Sequence, residues 1–198
     1  MKCAIVGNSG ILLDKEWGKL IDSHDVILRI NMAKTESYEK HVGSKTDIRF
    51  CNLHPVMCRL SDNHLKEHMK FFPQWDNDFI LSWKNQKLFF KNAGMLTEGS
   101  ELNSHLLSMG NEIYHIPEQL IQEIKNIIGA EPTMGILSII FSISNFETVN
   151  CFGFDFYQTK NKFHYFENVI PYESCHDNSK EKEFIFDLAD NGKINLYR

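Results

Sequence analysis

The sequence predicts an α/β sandwich: a single domain over residues 1–198, with a mainly parallel sheet and helices on both faces. Three observations predict it. Short apolar runs alternate with stretches of helical period, joined by short connections, as strand–helix crossovers require. The opening Lys2–Ala33 already reads as strand, Gly-rich turn, helix, strand. No repeat, low-complexity tract or Pro/Gly/Ser linker divides the 198 residues, a length that can bury a substantial core.

The first strand is Cys3-Ala4-Ile5-Val6, an apolar run that stops at Gly7. Gly7-Asn8-Ser9-Gly10 follows as a tight loop of small side chains with exposed backbone N–H groups. A helix is expected from about Lys15 to Ile21, with Trp17, Leu20 and Ile21 on one face and Asp14 as N-cap. Val26-Ile27-Leu28 is the second strand and runs into Arg29-Ile30-Asn31. Asp47 to Phe50 reads as a third strand and Cys51 to Pro55 as a loop. Asn63 to Phe72 has helical character, and Phe79 to Trp83 is a strand candidate. The aromatics Phe71, Phe72, Phe89 and Phe90 read as core. Glu101 to Met109 predicts a helix ending at Gly110, and Ile113 to Ile116 a short strand. Glu118 to Ile128 carries Leu120, Ile121, Ile124, Ile127 and Ile128 at helical period, closed by Gly129. A helix after Pro132 to about Asn145, a strand over Val149 to Phe154 and a helix over Lys180 to Ala189 complete the pattern.

Charge and composition exclude several classes. A net charge of −5 argues against nucleic acid, whose phosphates demand a basic face, although Lys160 to Lys162 could meet a smaller anion. The longest apolar stretch, Ile136 to Ile143, is broken by Ser138 and Ser142 and is too short to span a bilayer. Met1 leads straight into the first strand without a signal-like segment. Five cysteines, an odd number without secretory context, imply reduced thiols. A cytoplasmic, soluble protein is the expectation.

Four stretches carry chemistry. The first is the strand–turn–helix opening, the usual way to set a phosphate or nucleotide at a sheet's carboxyl edge. G-N-S-G lacks the third glycine of the dinucleotide fingerprint, and no Gly-Lys-Ser/Thr follows to make a P-loop. The second is Glu131-Pro132-Thr133-Met134-Gly135, where proline at a helix start beside small residues leaves N–H groups to face a ligand. The third is His164-Tyr165-Phe166-Glu167, and the fourth His176-Asp177-Asn178-Ser179-Lys180-Glu181. A histidine suits proton transfer because its ordinary range lies near neutrality. Read singly, Thr133 is a helix cap and each histidine a surface residue beside an acid. His64-Leu65-Lys66-Glu67-His68 matches a zinc pattern, and Cys51, His54 and Cys58 could offer three zinc ligands, but neither has a supporting second cluster. Ser9 lies in no G-x-S-x-G elbow.

In their order these stretches resemble the motifs of the animal-type sialyltransferases, glycosyltransferase family 29. Cys3, G-N-S-G, Ile21-Asp22 with Asp25, Arg29-Ile30-Asn31-Met32-Ala33 and Val42-Gly43-Ser44-Lys45-Thr46 resemble the large sialyl motif and its continuation. Pro132 to Leu137 with Cys151-Phe152-Gly153-Phe154 resembles the small motif; His164 to Glu167 and His176 to Glu181 resemble the last two. The resemblance implies a Rossmann-like, GT-A-like sandwich that moves sialic acid from CMP-sialic acid to a glycan acceptor, an oligosaccharide or lipo-oligosaccharide. It further implies inversion, no metal and no cofactor. His176 is then the base and His164 the donor to the leaving phosphate. Asn8, Ser9, Gly10, Asn31, Thr133, Met134 and Gly135 would bind the donor nucleotide, with Asn8 and Asn31 at phosphate and ribose.

The chain departs from the family at two points of the small motif. Met134 replaces the usual threonine, and Phe146 stands where the family's cysteine pairs with the one matching Cys3. That disulfide is therefore not carried over. The stretch from about Ser61 to Lys125, where acceptor selectivity would reside, resembles nothing usable. The missing anchor and stem suggest a bacterial or viral homologue touching membranes at most peripherally. Rival readings are a transferase using another CMP-ulosonic acid such as CMP-Kdo, a silent sugar-nucleotide or glycan-binding protein, and a zinc hydrolase on His64 and His68.

Overall fold

The structure, a computed structural model, describes residues 1–52, 82–91, 101–156, 158, 162–167 and 176–198. Its centre is a seven-stranded sheet of β1 (Lys2–Val6), β2 (Val26–Ile30), β3 (Ile48–Asn52), β4 (Lys87–Lys91), β5 (Glu112–His115), β6 (Thr148–Phe152) and β7 (Asn195–Tyr197). The strand order is β5-β4-β3-β2-β1-β6-β7. Every neighbouring pair is parallel; β1 pairs β2 with Ile5 opposite Leu28 and pairs β6 with Ile5 opposite Cys151. The chain winds outward from β1 through β5 and then returns to the other side of β1 for β6 and β7. Beside β1 the order reverses, which opens a crevice at the carboxyl ends of β1, β2 and β6.

Both faces are covered, because alternate residues of a strand point to opposite sides. Cys3 and Ile5 of β1 pack with Leu28, Ile30 and Phe50 beneath α4 (Glu118–Ile128), α5 (Met134–Asn145) and α6 (Asn178–Asp190). Ala4 and Val6 face the other way, onto Leu12, Ile21, Val42 and Tyr165. That side carries a 3₁₀ turn (Gly10–Asp14), α1 (Gly18–Asp22) and α2 (Glu39–Val42). A further described helix, α3, spans Glu101–Ser108. The predicted α/β sandwich with helices on both faces is thus present, and among the described strands the sheet is wholly parallel. No described helix is long and apolar enough to cross a membrane.

Several elements differ from expectation. Of the helix expected over Lys15–Ile21 only the short α1 (Gly18–Asp22) forms, and a 3₁₀ turn (Gly10–Asp14) precedes it. Asp14 ends the turn instead of capping a helix; the cap is Ser9, whose Oγ accepts from Ile11 N at 3.3 Å. β3 begins one residue late and includes Cys51 and Asn52, which were expected in a loop. β4 and β7 were not predicted, and Ser82 and Trp83 are not strand. On α4, Ile127 is 65% exposed although it keeps the apolar period. The helix expected over Asn63–Phe72 and the strand residues Phe79 to Leu81 lie outside the described residues.

Much of the opening motif is scaffold. Asp22 accepts from Ser44 N (2.9 Å), Ser44 Oγ (2.9 Å) and Lys45 N (3.2 Å), closing the Val42–Thr46 turn onto α1. Gly43 has φ +74°, and a Cβ there would meet Asp22 Oδ1 at 2.5 Å, so the turn needs glycine on both counts. Fully buried Arg29 donates to Val42 O (2.8 Å), Lys45 O (2.9 Å) and Thr46 Oγ1 (2.9 Å).

Candidate active site

Two clusters of motif residues meet at the crevice. The first is the loop after β1. Gly7 N donates to Phe152 O at 2.8 Å, Ser9 N to Gly153 O at 3.4 Å and Gly10 N to Lys162 O at 3.1 Å. The N–H groups expected to face a ligand are therefore largely spent on the protein itself. Cβ atoms at Gly7 and Gly10 would come within 2.5 Å of Gly153 O and 2.4 Å of Lys162 O, so glycine permits the backbones to touch. Ser9 is buried. Asn8 differs: its carbonyl accepts from Tyr165 N at 2.8 Å, but its side-chain Oδ1 is buried and has no hydrogen-bond partner. An unpaired buried acceptor is costly, and such atoms gather where a ligand completes the site.

Tyr165 ties the third motif to this loop. It is fully buried, and its hydroxyl donates to Lys34 O at 2.5 Å. Burial pushes the Tyr165 hydroxyl up to about 12. His164 Nδ1 donates to Glu167 Oε1 at 2.5 Å, and its ring stacks on Phe166 at 5.3 Å. The carboxylate holds the ring by Nδ1, and the next residue, Tyr165, bonds the loop that carries Asn8.

Asn31, at the end of β2, has φ +50°, a left-handed conformation that asparagine tolerates better than most residues. Its Oδ1 accepts from Asn52 N at 2.9 Å, and its carbonyl accepts from Arg49 Nη1 at 2.6 Å. Arg49 is buried, lies over the Trp83 ring at 4.6 Å and also donates to Gln86 Oε1 at 3.2 Å. Burial lowers its guanidinium to about 10. The side-chain oxygen of Asn31 is thus committed to the protein itself.

The second cluster is the entry to α5. Thr133 is the N-cap: its Oγ1 accepts from Ile136 N at 3.3 Å and donates to Glu181 Oε2 at 2.7 Å. Thr133 N donates to Glu181 Oε1 at 2.7 Å. Burial holds the Glu181 carboxyl above its ordinary range despite these two donors. Met134 is buried in the core, whereas Gly135 lies against Phe154, with a Cβ position 3.2 Å from that ring. This contact joins the two clusters, since Phe154 follows the Gly153 that meets Ser9. His176 Nδ1 donates to Glu131 O at 2.7 Å, which puts a proton on Nδ1. Glu131 itself is paired with Lys91 at 2.6 Å and Lys125 at 3.0 Å.

The structure thus brings Asn8, Ser9, Gly10 and His164 together on one side, and Thr133, Met134, Gly135 and His176 on the other, with Asn31 at the adjacent strand end. Sequence reasoning missed Arg49, Lys91 and the side-chain role of Glu131. A lysine ending the Leu88–Phe90 run could have pointed to Lys91; Arg49, inside β3, carries no such signal. Among the described residues no group of three or more His, Cys, Asp or Glu is placed to hold a metal. Cys51 is fully buried with its thiol pushed up to about 12, a poor metal ligand; His54, Cys58 and the His64–His68 helix lie outside the described residues.

A family profile described as glycosyltransferase family 29 (sialyltransferase) matches residues 1–193. A curated pig protein, CMP-N-acetylneuraminate-beta-galactosamide-alpha-2,3-sialyltransferase 1, is 30% identical over 207 residues, covering 100% of this chain and 58% of its own length. Its mouse counterpart is 31% identical over 208 residues, covering 100% and 59%. The chain thus spans somewhat over half the length of these relatives. An Arabidopsis thaliana beta-1,6-galactosyltransferase is 58% identical over 52 residues, 26% of this chain and 13% of its own. Among solved structures, a mammalian sialyltransferase shares the fold with a TM-score of 0.69 at 24% identity, covering 99% of this chain and 68% of that one. A mammalian sialyltransferase in complex with Gal-beta-1-3GalNAc-ortho-nitrophenol gives a TM-score of 0.66 at 24% identity, with the same coverage.

Proposed function

The chain belongs to glycosyltransferase family 29 (sialyltransferase), and on that premise we propose that it transfers sialic acid from CMP-sialic acid to a hydroxyl of an acceptor glycan. The reaction inverts the anomeric centre and uses neither metal nor cofactor. One observation carries the reading: His176 hangs from the Glu131 carbonyl by Nδ1, at the segment that opens α5, so Nε2 is the basic nitrogen. The acceptor oxygen attacks the anomeric carbon from the face opposite the phosphate, and its proton passes to His176 Nε2. The bond between that carbon and the phosphate oxygen breaks, its electron pair leaving with CMP. His164, held through Nδ1 by Glu167, acts in its doubly protonated form: it donates from Nε2 to the departing phosphate and stabilises the charge that develops there. Asn8 and Asn31 grip the nucleotide, and Thr133 to Gly135 flank it.

The test is incubation with CMP-N-acetylneuraminate and Gal-beta-1-3GalNAc-ortho-nitrophenol, reading CMP release and product by NMR. Transfer with inversion that persists in excess EDTA is the expected result. No transfer, or transfer abolished by EDTA and restored by manganese or zinc, would overturn it. A second reading keeps the fold and changes the donor. The match to a plant galactosyltransferase favours it, because a protein named for another sugar is 58% identical to this chain over 52 residues. CMP-Kdo in the same assay separates the two, and binding of CMP without turnover of either donor would mark a silent sugar-nucleotide protein. The cytoplasmic location belongs to the same proposal and rests on the reduced thiols.

A further inference from the structure

Lys91 ends β4 with its backbone opposite Asn52 of β3, three strands from β1. Its side chain is only 8% exposed, an unusual place for an ammonium group. The burial is compensated by two acceptors on one short segment: Nζ lies 2.6 Å from Glu131 Oε1 and donates to Pro132 O at 3.1 Å. The lysine holds the carboxylate of one residue and the carbonyl of the next, and so fixes the plane of the peptide between them. The carbonyl of that peptide is Glu131 O, the acceptor for His176 Nδ1.

The segment needs such a hold. Residues 130–133 form no helix or strand, and Pro132 has no N–H with which to anchor itself. On its far side Glu181 takes both Thr133 donors, and Lys125 takes the second Glu131 oxygen at 3.0 Å. Of these contacts Lys91 alone reaches across from the sheet. A buried ion pair is seldom the cheapest way to stabilise a fold, since an apolar side chain of similar size often does as well. What the ammonium adds is direction.

We propose that Lys91 is a positioning residue for His176, acting through the Glu131–Pro132 peptide and setting both the ring's orientation and the tautomer that leaves Nε2 basic. The proposal rests on the reading of His176 as base. Removal of Lys91 leaves Glu131 with Lys125 and partial solvent contact, so no carboxylate is stranded and the fold survives. The peptide carbonyl is then free to tilt, and the histidine loses its fixed acceptor.

The experiment uses protein labelled with ¹⁵N-histidine, with long-range ¹H–¹⁵N correlation to read each ring's tautomer and His176→Ala to assign the signal. In the wild type His176 shows Nδ1–H. In Lys91→Met its two ring nitrogens average toward each other, and in Lys91→Arg the wild-type pattern returns. With CMP-N-acetylneuraminate and Gal-beta-1-3GalNAc-ortho-nitrophenol, Lys91→Met loses kcat by about ten- to a hundredfold, the scale of a displaced catalytic group. Its KM for the donor stays within about twofold, because no donor contact is lost. An unchanged His176 tautomer and kcat in Lys91→Met would overturn the proposal, as would a defect confined to KM. If Lys91→Met fails to fold, Glu131→Gln, which cuts the same ion pair, carries the readout; an unaltered tautomer there overturns it too. Failure of the underlying reading looks different: His176→Ala itself then keeps its turnover.

Discussion

The loop after β1 is held by backbone, whereas the turn entering α5 is held by ionised side chains. At the first, Gly7, Ser9 and Gly10 give their amides to carbonyls of the β6 end and of Lys162, and glycine lets those backbones touch. At the second, Lys91, Lys125 and Glu181 reach in from three different elements to grip Glu131, Pro132 and Thr133. The first is a rigid floor that leaves the buried side-chain oxygen Asn8 Oδ1 without a partner. The second is a bracket for His176, the proposed base. Volume should break the floor, and loss of specific atoms should break the bracket.

The largest effect expected is at the two histidines. Removing a general base typically costs about a hundred- to ten-thousandfold in rate. His176→Ala should fail at transfer by that order while binding CMP almost normally, because His176 belongs to the bracket. His164→Ala should lose CMP affinity as well as turnover, since on the floor's side it is the proposed donor to the phosphate. Calorimetry with CMP beside single-turnover assays separates the two. A His176→Ala defect lying wholly in CMP affinity would move the base elsewhere, with Glu167 next to test.

Next in size is Gly10→Ala. Its Cβ would sit 2.4 Å from Lys162 O and 2.7 Å from Lys162 Cβ, so the chain around residue 162 must move. Overpacking of this kind costs about 1–3 kcal/mol, measurable by urea unfolding. Activity should fall with stability, because the displaced segment runs on into His164. Wild-type stability in this variant would mean that the floor is not volume-limited.

Asn8→Ala should give a smaller change of an unusual kind. It removes a buried acceptor without a partner, so the unliganded protein should be no less stable than the wild type. CMP affinity should nevertheless drop by about 1 kcal/mol, the scale of one lost hydrogen bond. Equal losses in both quantities would show that Asn8 is structural. Asn31 is the poorer probe: an alanine there must keep φ +50° and leaves Asn52 N without its acceptor, so binding and folding would change together.

The difference between the two regions also explains what could be read in the sequence. The floor is local, and glycines, small polar residues and the end of an apolar run announce it within ten residues. α4 was equally legible, with Ile121, Ile124 and Ile128 buried at helical spacing and Gly129 closing it at φ +69°. The bracket is not local: Lys91 meets Pro132 across 41 residues and Thr133 meets Glu181 across 48. No periodicity encodes such contacts. β4 was missed because Leu88, Phe89 and Phe90 between two lysines show no alternation, and β7 because three residues are too few for a pattern. Cys51 was read as loop because the pattern cannot show where a strand's pairing partner ends.

The smallest effect expected is no effect, and it concerns the thiols on the floor's underside. Cys3, Cys51 and Cys151 are free and fully buried. Burial pushes Cys3 and Cys51 up to about 12 and Cys151 higher still, so no thiolate forms at neutral pH. Cys3 lies 3.9 Å from Ser142 Oγ, while Phe146, where the family's cysteine would stand, caps α5 and packs against Phe141. Among the described residues Cys51 lies on β3, with β2 between it and Cys3, so Cys151 on the neighbouring β6 is the nearer candidate partner. Yet β1 and β6 are parallel with Cys3 opposite Val149, so Cys151 lies two residues farther along. Two steps of about 3.3 Å combined with a strand spacing of about 4.8 Å give a Cα separation of roughly 8 Å, beyond the reach of a disulfide. Reductant should therefore leave the melting temperature unchanged, and iodoacetamide should spare these three cysteines in the native protein but label them after denaturation. Cys3 and Cys151 unlabelled in denatured, non-reduced protein would prove a bond, and with it a shift of register between the two central strands.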